Sequence, residues 1–218
     1  MLSSKSTCAI LLALSFLSNR AQGFLESEGQ EIIGYRTVFR EEAEFINFVH
    51  RPYRDDEYDN DDMNINELGH GFYMTNEPAG WQKHPIKDNW FCVIRMDSKT
   101  IADAAKIYIP ESYQKPTWFG GTELTNLWSG NEKVILEYIK SMISTDPKEA
   151  LRFSWIPETD KQQMVIPTDY LNNDALDIWA HCYETKEELY KYSSKTIAWD
   201  NWKITGSPGS PSSHSSSS

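Results

Sequence analysis

Three short segments hold the side chains whose chemistry stands out in this chain. They are Tyr35-Arg36, the run Gly69-His70-Gly71-Phe72-Tyr73-Met74-Thr75, and Gln162-Gln163-Met164-Val165-Ile166-Pro167. Arg36 offers a planar guanidinium fork, which suits two-point contact with a diphosphate. The second segment opens on a tight glycine turn and continues as a strand, so alternation lets only one of Phe72 and Tyr73 face a given ligand. Gln163 can donate or accept a hydrogen bond but brings no charge. Carboxylates stand just upstream of it, at Glu158 and Asp160. No one segment is specific; their order carries the signal.

Taken in that order, the segments resemble the three signatures of the ADP-ribosyltransferases. The resemblance is thin, runs from Gly34 to about Cys182, and extends to secreted proteins of this fold type from pathogenic fungi. It implies that Arg36, preceded by Tyr35, holds NAD through its phosphates and ribose. It also implies that Gly71, Phe72, Tyr73 and Thr75 shape a nicotinamide pocket, with one of the two aromatic rings stacking. In the family, a glutamate at the start of the later strand stabilises the oxocarbenium-like state as nicotinamide leaves. The chain departs from the family there, because Gln163 occupies that place. Losing one preorganised charge costs at least about 10²- to 10³-fold in rate, and Glu158 would have to swing in from the loop to replace it. NAD as a substrate and a host protein as the target follow from the resemblance alone.

Three functional readings stay open on these residues. One is a binding member of the fold with a non-canonical or inactive NAD cleft, acting as a secreted effector. Another is an active mono-ADP-ribosyltransferase or NAD glycohydrolase. The third, from a different class, is a secreted carbohydrate-active or carbohydrate-binding protein using its acids and eight tryptophans.

The envelope narrows the choice of partners. Residues 1–23 read as a secretory leader, with Lys5, an apolar run from Cys8 to Leu17 and a small-residue end at Ala21-Gln22-Gly23. That run is too short for a permanent membrane span, and no later stretch is long enough. The formal charge of -11 becomes two units more negative when Lys5 and Arg20 leave with the leader. Such an acidic chain is repelled by phosphate backbones and anionic lipid, which argues against nucleic acid. Cys92 and Cys182 remain in the exported chain, and an even pair in an oxidising compartment predicts a disulfide. No spacing of His and Cys suggests zinc, so no metal site is expected. The acidic run from Asp55 to Asp62 reads as a solvated loop, lacking the glycine and closing glutamate of a calcium hand.

The elements that must position these residues belong to a single α+β domain over 24–205, monomeric, with a mixed or antiparallel β core and flanking helices. Strands are expected at 31–37, 90–96, 106–109, 152–156, 163–166 and 176–182. Helices are expected at 41–49 and at 131–143, the latter with Asn131 as N-cap and Val134, Ile135, Tyr138, Ile139 and Met142 on one face. The pattern confines helices to the first half and one middle insertion. Residues 206–218, rich in Ser, Pro and Gly, read as a disordered tail. The tryptophans at 118, 128, 155, 179, 199 and 202 read as core packing rather than a sugar platform.

Overall fold

In the computed structural model, residues 29–55, 59, 66–80 and 88–209 are described. The proposed leader lies outside them, as does most of the acidic run. The span Glu31–Ser218 forms one compact unit, and of the separate unit Met1–Gln30 only Gly29 and Gln30 are described.

The fold is α+β, built on one mixed seven-stranded sheet. Its strands are β1 (Gln30–Phe39), β2 (Phe72–Thr75), β3 (Asn89–Asp97), β4 (Lys106–Tyr108), β7 (Leu151–Trp155), β8 (Gln162–Ile166) and β9 (Ile178–Tyr183), in the order β4-β7-β8-β2-β1-β3-β9. A separate hairpin joins β5 (Ser112–Pro116) to β6 (Thr122–Asn126). β4 runs parallel to β7, while β7-β8, β8-β2, β2-β1 and β3-β9 are antiparallel. The Trp-Phe-Cys-Val-Ile stretch of β3 forms a strand because branched and aromatic side chains fit a pleated, two-sided core. Cys92 there stands directly opposite Cys182 on β9, and the two sulfurs are joined.

Both free edges of the sheet are covered, which removes unpaired backbone that would otherwise invite another strand. Helix α1 (Arg40–Val49) buries Ala43 and Ile46, and its Asn47 side chain bonds both the N–H and the C=O of Cys182 at 2.7 and 2.9 Å. The carbonyl of His50 takes the N–H of Ala180. At the far edge, Thr205 bridges alongside β4, exchanging bonds with Lys106 and Tyr108.

Helix α2 (Ser98–Asp103) follows β3, and α3 (Glu132–Met142) packs Ile135, Tyr138 and Ile139 inward with Asn131 accepting from the Val134 N–H. Two helices contradict the expected distribution, since α4 (Thr168–Asn172) and α5 (Lys186–Tyr192) lie late in the chain. α5 is held by a reciprocal capping box between Thr185 and Glu188, which satisfies two first-turn N–H groups at once. Along β2 and β8 the side chains alternate between two apolar clusters. Phe72, Met74, Met164 and Ile166 enter the larger, and Tyr73 and Val165 enter the smaller, beneath α3.

Within the stretch expected to be a tail, Gly209 accepts a hydrogen bond from the Trp155 indole at 3.1 Å. Residues 210–218 lie outside the described range.

Candidate functional site

The glycine turn ahead of β2 is shaped by a buried ion pair. Arg152, on β7, is 0% exposed, and its guanidinium forks onto Glu132 at the start of α3 with distances of 2.7 and 2.9 Å. The same nitrogen that makes the longer bond also donates to the Leu68 carbonyl at 2.8 Å, while the His70 N–H donates to Glu132 at 2.8 Å. A Cβ on Gly69 would meet Glu132 Oε2 at 2.1 Å and Arg152 Nη1 at 2.6 Å, and its φ is +82°. Glycine is therefore required at 69 on two counts, space and backbone. Gly71 answers a different need, the close crossing of β8, where a Cβ would meet Val165 and the Ile166 carbonyl at 2.4 and 2.5 Å. Burial alone would raise the Glu132 pKa, but the Arg152 fork and the His70 N–H outweigh it and hold it below its ordinary value.

The aromatic residues after the turn are also committed to the fold. Tyr73 is buried, its hydroxyl accepting from the Leu68 N–H at 2.9 Å and donating to the Gly69 carbonyl at 2.7 Å. Desolvation pushes its pKa far upward. Phe72 is sealed on the other side of the strand and carries the Arg36 guanidinium 4.4 Å above its ring centroid. Thr75 is buried, donating to the Glu77 carbonyl at 3.0 Å. Phe72 and Thr75 are 0% and 1% exposed and Tyr73 7%, so among the described residues these three side chains serve mainly the packing of the strand.

The register fixes where Arg36 and Gln163 point. Tyr35 pairs with Thr75, Thr75 with Gln163, and Gln163 with Ser154, so these four side chains share one face of the sheet. Arg36, one residue on, points to the opposite face. It donates to the Tyr73 carbonyl at 2.9 Å and lies 3.4 Å from Glu42. Burial lowers its pKa, with Glu42 opposing. Gln163 is 0% exposed; its Nε2 donates to Ser154 Oγ and the Trp155 carbonyl, both at 3.3 Å, and its Oε1 has no partner. Tyr35 is turned toward the C-terminal segment, bonded to Ser193 Oγ at 2.9 Å and the Lys195 carbonyl at 2.7 Å. Glu158 sits exposed in the β7–β8 turn at φ +61°.

A cleft that the sequence reading did not single out lies over the Arg152–Glu132 pair. It has a volume of about 370 Å³ and is walled by Asp59, His70, Glu132, Lys148, Arg152 and Asp169, with Leu136, Pro167 and Thr168 between them. Asp59 overturns the solvated reading of its part of the acidic run, because it is buried and bonded to Arg54 at 3.0 Å, to Thr168 Oγ1 and to the Gly71 N–H. The floor is thus a closed network of paired charges. At the rim, Lys148 and Asp169 are exposed and 3.5 Å apart, leaving both signs of charge open to a small polar solute. The sequence did carry one signal for this network: an arginine inside the apolar strand Leu-Arg-Phe-Ser-Trp has to find a buried acid.

Among the tryptophans, Trp199 is core and donates to the Ile33 carbonyl, and Trp202 packs against the same cluster. Trp118 contradicts the core expectation, being 96% exposed. Among the described residues no helix is long and apolar enough to cross a membrane, and no cluster of three or more His, Cys, Asp or Glu could hold a metal ion.

No curated protein matches the chain. Residues 66–207, which include the glycine turn, α3, the Arg152 strand and the Gln163 strand, match a family model described only as "Family of unknown function (DUF5910)", and the chain belongs to that family.

Proposed function

We propose that the chain is an exported, effector-type binding protein on an ADP-ribosyltransferase-like frame, without transferase turnover. One observation carries this: Arg36 and Gln163, the two residues that would have to converge on NAD, lie on opposite faces of the sheet. Converging groups are the physical requirement for stabilising a developing charge, and a sealed, neutral carboxamide supplies neither access nor charge. The export half of the reading is supported by the leader-like first 23 residues and is compatible with the Cys92–Cys182 disulfide.

The cleft over Arg152 has room for a small solute, yet its charged floor is already paired. A solute bound there meets Lys148, Asp169 and the His70 side chain. The reading is tested by titrating NAD into the protein by calorimetry. No heat that depends on Arg36 is expected, and a saturable signal abolished by Arg36→Ala would overturn the proposal.

A further inference from the structure

The hairpin over residues 112–126 ends in the two most exposed large apolar side chains among the described residues, Trp118 and Phe119, each 96% exposed. Its base is fastened to α3. Tyr113 meets Tyr138 edge-on with ring centroids 4.9 Å apart, and Lys115 Nζ lies 2.7 Å from Glu137. Its tip is equally defined: the Gly120 N–H donates to the Thr117 carbonyl at 3.2 Å, the Thr117 N–H donates to the Gly121 carbonyl at 3.0 Å, and Gly120 takes φ +77°. That turn holds Trp118 and Phe119 as its central residues. The fold itself makes no use of either ring.

We propose that this tip docks on the interface of a membrane whose headgroups are zwitterionic. Residues 117–122 carry no charge, and tryptophan with phenylalanine is a pairing that settles at headgroup level. Two aromatic side chains offer about 300–500 Å², short of the ~800 Å² per partner of a standard protein interface. A bilayer asks for no shape complementarity, so that small area is no obstacle there. A sugar site would need hydrogen-bonding acids or amides beside the rings, and within the tip only threonine hydroxyls are at hand. The formal charge of -11 directs the protein away from anionic lipid. A second apolar patch on α1, with Phe48 86% exposed, is bordered by Glu41, Glu42 and Glu44, which hold it off a headgroup surface.

The test is co-sedimentation of the chain from residue 24 onward with phosphatidylcholine vesicles, since the apolar leader would bind lipid by itself and the compact unit begins at Glu31. W118S/F119S should lower the partition constant at least tenfold at an unchanged melting temperature, while F48S stays within twofold of wild type. Adding phosphatidylserine to the vesicles should weaken binding. Wild-type protein left in the supernatant, or a double variant that binds as wild type does, would overturn the proposal. So would self-association in the centrifuge that W118S/F119S abolishes, or tip-dependent retention on insoluble polysaccharide.

Discussion

Replacing Glu132 by glutamine removes one charge from the buried pair while keeping shape and one acceptor oxygen. Arg152 is 0% exposed and Glu132 24% exposed at the side chain, so the guanidinium is left in a dry site facing a neutral amide. Breaking a buried pair from one side costs about 3–5 kcal/mol. The partial exposure of Glu132 and the retained acceptor bring the expected loss to about 2–3 kcal/mol, because water and the amide oxygen offset part of the missing charge. For a domain of this size each kcal/mol lowers the melting temperature by about 2–4 °C, giving a drop of about 4–12 °C. The loss should also depend on pH. The folded pKa of Glu132 lies below its ordinary 4.5, so its stabilisation is present above pH 4.5 and fades as pH falls through the lower folded value. Urea denaturation of wild type and Glu132→Gln at pH 7 and pH 3.5 reads both quantities. A difference under about 1 kcal/mol at pH 7, or one that does not shrink at low pH, would refute the reasoning. The exposed Lys115–Glu137 pair serves as control, and Glu137→Gln should leave the midpoint unmoved.

Gln163→Glu should destabilise the fold rather than awaken chemistry, since the new carboxylate would be sealed against the Trp155 carbonyl. Its folded pKa would be raised above the ordinary value of about 4.3, so the penalty is small near pH 4 and grows toward pH 7; a melt equal to wild type at both pH values would contradict this. Gly69→Ala should cost more than the ~1–2 kcal/mol of a left-handed backbone alone, because its Cβ collides with Glu132 and Arg152; urea midpoints decide it, and a smaller loss would mean the turn can shift. The Cys92–Cys182 link closes a loop with a sequence separation of 90, so Cys92→Ala/Cys182→Ala should lose about 4–5 kcal/mol on the chain-entropy estimate. Intact mass of the unreduced protein from residue 24 onward should lie about 2 Da below the reduced form, two thiol hydrogens being lost, and two native thiols open to alkylation would rule the link out.

What the sequence made legible were the locally encoded elements. The β-branched and aromatic run at 90–96, the helical spacing behind Asn131 and the cysteine pair each carry their signal within a few residues or by count. Arg36 and Gln163 show where such reading ends. Their shared motif order is visible in the chain, but which face each takes depends on the register of β1, β2, β8 and β7 together, and one residue of slip reverses a whole strand. The Arg152–Glu132 pair was hidden for a related reason, since two residues twenty apart meet only after α3 folds back over β7. Glycine permits close approach of any kind, and at Gly69 and Gly71 the approaching groups are the protein's own side chains and strand β8. The Thr185–Glu188 capping box is a local signal for α5, three residues apart at the helix start.

The opposite-face placement of Arg36 and Gln163 is tested most directly by nicotinamide release from labelled NAD, measured for wild type, Gln163→Glu and Arg36→Ala in parallel. Release at the buffer rate from all three is the expected result. Release by wild type or by Gln163→Glu that Arg36→Ala abolishes would mean that the two side chains do converge on NAD, and that the binding-only reading is wrong.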